Sequence, residues 1–248
     1  MARASAIGHR VVLVIATKGE QGEVEPGLLR PDETLSERRV AEVIESAQIL
    51  GIETPIFLGY EDSGMVGEPA NENPKCFWQA DVALAAQQLA AILKDVDVDV
   101  LTIYDDHGLY GHPDHIQVHR VGLAAARLLD LKHVYEATIS RSDAMENMED
   151  IRAQAGSDGD LPPDVPEPDE FSDFGMLAED IAYKVDVTEH LEKKRAALRA
   201  HRTQVSEQSF FLGMSDQQFR VMFGQEWFAV PGGSPSTEPQ QLAMLPGL

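Results

Sequence analysis

Val98-Asp99-Val100-Leu101-Thr102-Ile103-Tyr104-Asp105-Asp106-His107-Gly108-Leu109-Tyr110-Gly111-His112-Pro113-Asp114-His115 passes from an apolar run into a cluster of imidazoles and carboxylates. A segment of helical periodicity then runs from about Asp114 to Leu129. A β-branched run of this length reads as a strand, and Pro113 suits the first turn of a helix because it has no N–H to leave unpaired. The whole stretch therefore reads as strand, loop and helix, the repeating unit of a parallel sheet.

Working outward, the same alternation recurs. Val11 to Thr17 is a continuous apolar run, expected to be a strand covered on both faces. An amphipathic helix is expected from about Ser36 to Leu50, stopped by Gly51. Pro55 to Gly59 is a further strand, Ala80 to Leu93 a helix, and His133 to Ile139 another strand. The fold class is therefore α/β, a Rossmann-like, mostly parallel sheet with helices on both faces. In such sheets ligands bind beyond the carboxyl ends of the strands, so the loops after Thr17, Gly59 and Tyr104 should share one edge.

Regularity fails beyond about Asp143. An irregular acidic insertion is expected at about 157–173, and a strand at Ala182 to Val187. A helix should follow from about Glu189 to Gln204, then a short helix and an apolar strand at Glu226 to Val230. A single domain is expected over residues 1–230, with a disordered tail over 231–248.

Composition limits the partners. A net charge of −22 argues against nucleic acid and anionic membrane surfaces, which select basic patches. No apolar run has the length of a membrane span. One cysteine, Cys76, forms no intrachain disulfide and suits a reducing cytoplasm, most simply as a packed small residue. Whether copies of the chain form a homo-oligomer is left open.

Four of the eight histidines (His107, His112, His115 and His119) fall in the loop and helix after Tyr104. Histidine is the commonest zinc ligand, and a catalytic zinc takes three protein ligands with a fourth position left for water. His115 falls in the first helical turn with His119 one turn further on the same face, and His112 lies just outside. Asp114 is placed to accept a hydrogen bond from an imidazole and set its tautomer. His119 reads as a supporting residue rather than a ligand. A nucleotide site in the loop after Thr17 is disfavoured, because Gly19 and Gly22 lack the fingerprint spacing and Glu20 and Glu23 would repel phosphate.

Tyr110-Gly111-His112-Pro113-Asp114-His115 resembles the second signature of the zinc-dependent de-N-acetylases of the PIG-L/LmbE-like family, most like its actinobacterial, mycothiol-type branch. The likeness extends through Thr17 to Glu23, Phe57 to Tyr60, Asp62 to Met65, Tyr104-Asp105, and Lys194 to Leu198 with Ala200, His201 and Gln204. It implies Zn2+ as cofactor and an amino-sugar substrate. It also implies His115 as a zinc ligand, His112 polarising the amide carbonyl and moving a proton, Asp114 orienting it, and Tyr110 stabilising the oxyanion. Arg38 and Asp62 match positions that hold the sugar.

The family's first signature, a His-Pro-Asp-Asp-Glu run on the first strand, is absent from the sequence. The first strand is expected to lie upstream of Met1 with the remaining ligands, in a protein longer by about 25 residues. The leading reading is zinc-assisted hydrolysis of an acetamide on an amino sugar. A second is a degenerate, non-catalytic relative that binds a sugar-like ligand without metal.

Overall fold

The computed structural model describes residues 1–158, 173–233 and 238–248. In chain order the elements are α1 (Ala2–Ala6), β1 (Val14–Ile15), α2 (Leu35–Leu50), β2 (Ile56–Phe57), α3 (Val82–Asp95) and β3 (Val100–Tyr104). There follow a tight turn α4 (Gly108–Gly111), α5 (Pro113–Leu128), β4 (His133–Thr138), α6 (Arg141–Asp158) and β5 (Tyr183–Asp186). The chain continues through α7 (Leu191–Ala200), α8 (Phe210–Gly213), α9 (Asp216–Phe223), β6 (Gln225–Ala229) and β7 (Gln240–Leu242).

The helix boundaries follow local chemistry. Thr34 and Glu37 close a capping box on α2, and Gly51 ends the helix at φ 74. The Asp81 side chain caps α3 by accepting from Leu84 N–H.

The strands lie in two ladders, β1-β2 and β3-β4-β6-β5-β7. The β1–β2, β3–β4 and β5–β7 pairings are parallel, whereas β6 runs antiparallel to both its neighbours. The α/β, mostly parallel architecture is as expected. Val14 and Ala16 share one apolar core with Leu101, Ala85, Leu89, Val121 and Ala125, so both ladders rest on α3 and α5. Gly122 brings α5 close to β3, since a Cβ there would overlap Ile103 Cγ2. Among the described residues no ladder joins β1 to β3, and no helix is long and apolar enough to cross a membrane.

Three expectations need correction. Residues 11–15, expected to be covered on both faces, are half-buried, because β1 pairs with a strand on one side only. The region after Asp143 lies within α6, whose buried Ala144, Met148 and Ile151 form a narrow stripe in an otherwise polar segment. Most of the expected insertion, residues 159–172, lies outside the described residues. The tail is ordered where described: β7 pairs with β5, Leu245 packs beside Tyr135 and Val185, and Tyr135 donates to the Pro246 carbonyl at 2.9 Å. Cys76 is buried, as expected of a packed residue.

Candidate active site

The loops after β1 and β2 meet the start of α5 at one edge. Gln21 N–H donates to Asp62 Oδ2 at 3.2 Å, Asp62 N–H donates to Glu20, and Ser63 N–H donates to Asp114 Oδ2 at 3.0 Å. The loop after β1, the loop after β2 and the first turn of α5 are thus tied together through carboxylates.

His112 is the N-cap of α5, and its Nδ1 accepts from Asp114 N–H at 3.1 Å. A neutral imidazole whose Nδ1 accepts carries its proton on Nε2. That Nε2 lies 4.0 Å from Asp62 Oδ1. His115 has the opposite arrangement. Its Nδ1 lies 3.3 Å from the Gly108 carbonyl, an acceptor only, so Nδ1 carries the proton and Nε2 keeps its lone pair. The two rings stack with centroids 4.9 Å apart. Burial, followed by the nearby His112, lowers the His115 pKa to about 4 and keeps it neutral at physiological pH. Tyr104 lies flat against His115, with centroids 4.0 Å apart and planes 6° from parallel.

Asp114 corrects one expectation. Its carboxylate is outside ion-pair distance of the imidazole, and its backbone N–H is the group that orients His112. The carboxylate is buried, one oxygen held by Ser63 and Oδ1 without a partner. Burial raises its pKa.

Tyr110 meets the His115 ring edge-on at 5.1 Å and stacks on Phe174 at 6.1 Å. Burial and the Asp62 charge hold its phenol in the protonated, donating form. The turn carrying it needs Leu109 at φ 69, and the Leu109 N–H and carbonyl are held by Asp105 and by Gly175 N–H.

Arg38 is not brought to this cluster by any contact. It is clamped by Glu33 at 2.6 Å, beside a cavity of about 230 Å3 shared with Arg30, Glu42, Glu45 and Arg202. The neighbouring Arg39 is the guanidinium near Asp62. It donates to the Gly19 carbonyl at 2.7 Å, and side chains at Gly19 or Gly22 would occupy its place. Helical phase could have separated the two arginines, because the buried Glu42, Ser46 and Leu50 lie on the Arg39 side of α2. Ser63 and Asp105, both fully buried, were also not singled out; each acts through a hydrogen bond to a distant segment that spacing does not reveal. The His201 ring lies near Gln204 and the charges of Glu42, Arg39 and Glu45.

Asp62, His112 and Asp114 bring candidate ligand atoms within 4.8 Å of one another, the one such group of three among the described residues. The His112 tautomer withholds its Nε2 lone pair from a metal, whereas His115 Nε2 is ready to donate. The Asp62 and Asp114 carboxylates, the latter with Oδ1 unpartnered, gather beside His112, and His115, which is not in that group of three, keeps a Nε2 lone pair of the kind a divalent cation takes.

The family model described as PIG-L, GlcNAc-PI de-N-acetylase, matches residues 1–126. The 1D-myo-inositol 2-acetamido-2-deoxy-alpha-D-glucopyranoside deacetylase of Thermomonospora curvata is 36% identical over 274 residues, covering 100% of this chain and 90% of the relative. The protein of the same name from Acidothermus cellulolyticus is 38% identical over 252 residues, covering 94% of this chain and 83% of the relative. In fold, the chain is similar to the A40926 pseudoaglycone deacetylase Dbv21, with a TM-score of 0.56 at 17% identity over 92% of this chain and 87% of that one. A deacetylase of the teicoplanin pathway gives a TM-score of 0.57 at 17% identity, covering 92% and 90%. With half the chain under the family model and relatives above one-third identity along nearly all of it, this chain belongs to the PIG-L family of de-N-acetylases, enzymes that hydrolyse an amide.

Proposed function

We propose that the protein hydrolyses the acetamide of an N-acetylglucosaminyl conjugate, with zinc held in part by His115. The observation that supports this reading is the opposite use of Nδ1 by two stacked histidines, which leaves the His115 Nε2 lone pair free for a metal and His112 Nε2–H free to donate a hydrogen bond. Zinc, when bound, supplies a Lewis acid that polarises the carbonyl and lowers the pKa of water. His112 Nε2–H directs its proton at the reacting amide, and the Tyr110 hydroxyl donates to the oxyanion that develops on the carbonyl oxygen. The C–N bond breaks, the oxygen of water stays on the acetyl carbon, and a proton that a carboxylate takes from water passes to the leaving amine, while His112 keeps its Nε2–H as a hydrogen-bond donor to the reacting amide. Asp62 and Arg39 line the side where sugar hydroxyls would sit.

The inositol glucosaminide named for the curated relatives is the first substrate to try. The excess of negative charge supports a small-molecule partner rather than nucleic acid, and the buried, unpaired Cys76 fits a reducing cytoplasm. Acetate release from that glucosaminide, abolished by chelation and restored by zinc, tests the proposal. Binding of the sugar with no acetate release after zinc loading would replace it with a non-catalytic binding role.

A further inference from the structure

One turn beneath His115 lies a buried pair that the proposed reaction does not use. His119 Nδ1 is 3.2 Å from Glu136 Oε1 and 3.2 Å from the Tyr104 carbonyl. A single Nδ1–H thus faces two acceptors, one on the end of β3 and one on β4. The Tyr104 ring, at that same strand end, is the flat surface against which His115 rests. Glu136 is 6% exposed, and the groups facing it are His119 from α5 and the Asp105 and Asp106 charges at the end of β3; its antiparallel partner on β6 is Ala229.

We propose that His119 and Glu136 are positioning residues: Glu136 anchors the His119 ring, His119 holds the Tyr104 carbonyl, and Tyr104 thereby sets the plane of the His115 imidazole. The inference rests on the reading of His115 as a metal ligand.

A carboxylate buried among two other acids costs stability, and an apolar residue of similar volume usually costs less. Burial and the charges of Asp106 and Asp105 push the Glu136 carboxyl up to about 7, the mark of that cost. Metal-binding imidazoles depend on the groups that hold their rings in place, and losing such a group weakens metal binding about 10- to 100-fold. Here the support reaches the ligand through an aromatic face and a strand end, which places the effect at the lower limit.

The test compares the full protein with its Glu136→Leu and His119→Phe variants. The latter keeps a ring and removes the donor. Three quantities are read: zinc Kd by competition with a chelator, the melting temperature, and the ring-current displacement that Tyr104 imposes on the His115 ring protons in metal-free protein. Glu136→Leu should weaken zinc binding about tenfold and reduce the displacement, while its melting temperature stays equal or rises; His119→Phe should do the same to Kd and displacement. Should Glu136→Leu fail to fold, His119→Phe alone decides. Unchanged Kd and displacement in the variants, with zinc bound normally by the wild type, overturn the positioning role and leave the function standing. A melting temperature falling in step with affinity overturns it too, since packing would then be the cause. Failure of the wild type to bind zinc removes the reading of the site, and this inference with it.

Discussion

His112 and His115 stand with ring centroids 4.9 Å apart and make opposite hydrogen bonds through the same atom, Nδ1 accepting from a backbone N–H in one and donating to a backbone carbonyl in the other. Two identical side chains three residues apart thereby acquire different chemistry from the backbone alone. His115→Ala should weaken zinc binding by at least about 100-fold, whereas His112→Ala should keep zinc and lower kcat by about 100- to 10,000-fold. Measured zinc content and kcat for both variants decide it, and equal zinc loss in the two would remove the distinction.

Tyr110 is 43% exposed, so its hydroxyl contributes little to packing. Tyr110→Phe should lower kcat by about 100-fold with KM and melting temperature nearly unchanged, as expected for a donor used chiefly in the transition state. A change confined to KM would instead make Tyr110 a binding residue.

The neighbouring arginines should separate in a kinetic comparison. Arg39→Ala should raise KM for the glucosaminide about tenfold, because the guanidinium near Asp62 is lost. Arg38→Ala breaks an ion pair with Glu33 that is outside the cluster and should change KM less than twofold. The reverse order of effects would return the sugar-side role to Arg38.

Glu136 gives a pH signature. Its carboxyl is raised from 4.5 to about 7, so between those values the folded state keeps a proton that the unfolded chain has released. Its contribution to stability is complete below about pH 4.5 and is lost as pH rises through about 7. Glu136→Gln removes this loss. The urea midpoint of the variant, relative to wild type, should therefore climb between about pH 4.5 and pH 7 and level off above that. Parallel pH curves would mean that the carboxyl titrates normally in the fold.

Much of this was legible in the sequence, and the reasons differ by element. Helix α2 carries its capping box and its stop glycine in the residues themselves, and β3 reads as a strand from β-branched side chains. The histidine cluster was visible because chemistry and helix start coincide at Pro113. The Arg39 assignment required helical phase, and the Asp114 role required knowing that Ser63, 51 residues earlier in the chain, would take its carboxylate. Segment α6 hid three buried residues among acids, and β7 is a polar strand whose only signal is the β5 edge it meets. Long-range partners of this kind have no local periodicity to announce them.

The close seating of α5 on β3 at Gly122 makes the site's geometry depend on a residue with no side chain. Gly122 lies seven residues from His115, about 10 Å along the helix axis. The first turn of α5 is pinned from the other side by Ser63 holding Asp114. A methyl group at position 122 would therefore act as a wedge under a rod fixed at one end, at an overpacking cost of about 1–3 kcal/mol. The rod would tilt, sliding the His115 ring off Tyr104, so a substitution far from any substrate would be felt as a misaligned ligand before it was felt as an unfolded protein. Gly122→Ala should lose zinc affinity with a smaller change in melting temperature, and the His115 ring-current shift would report the tilt directly.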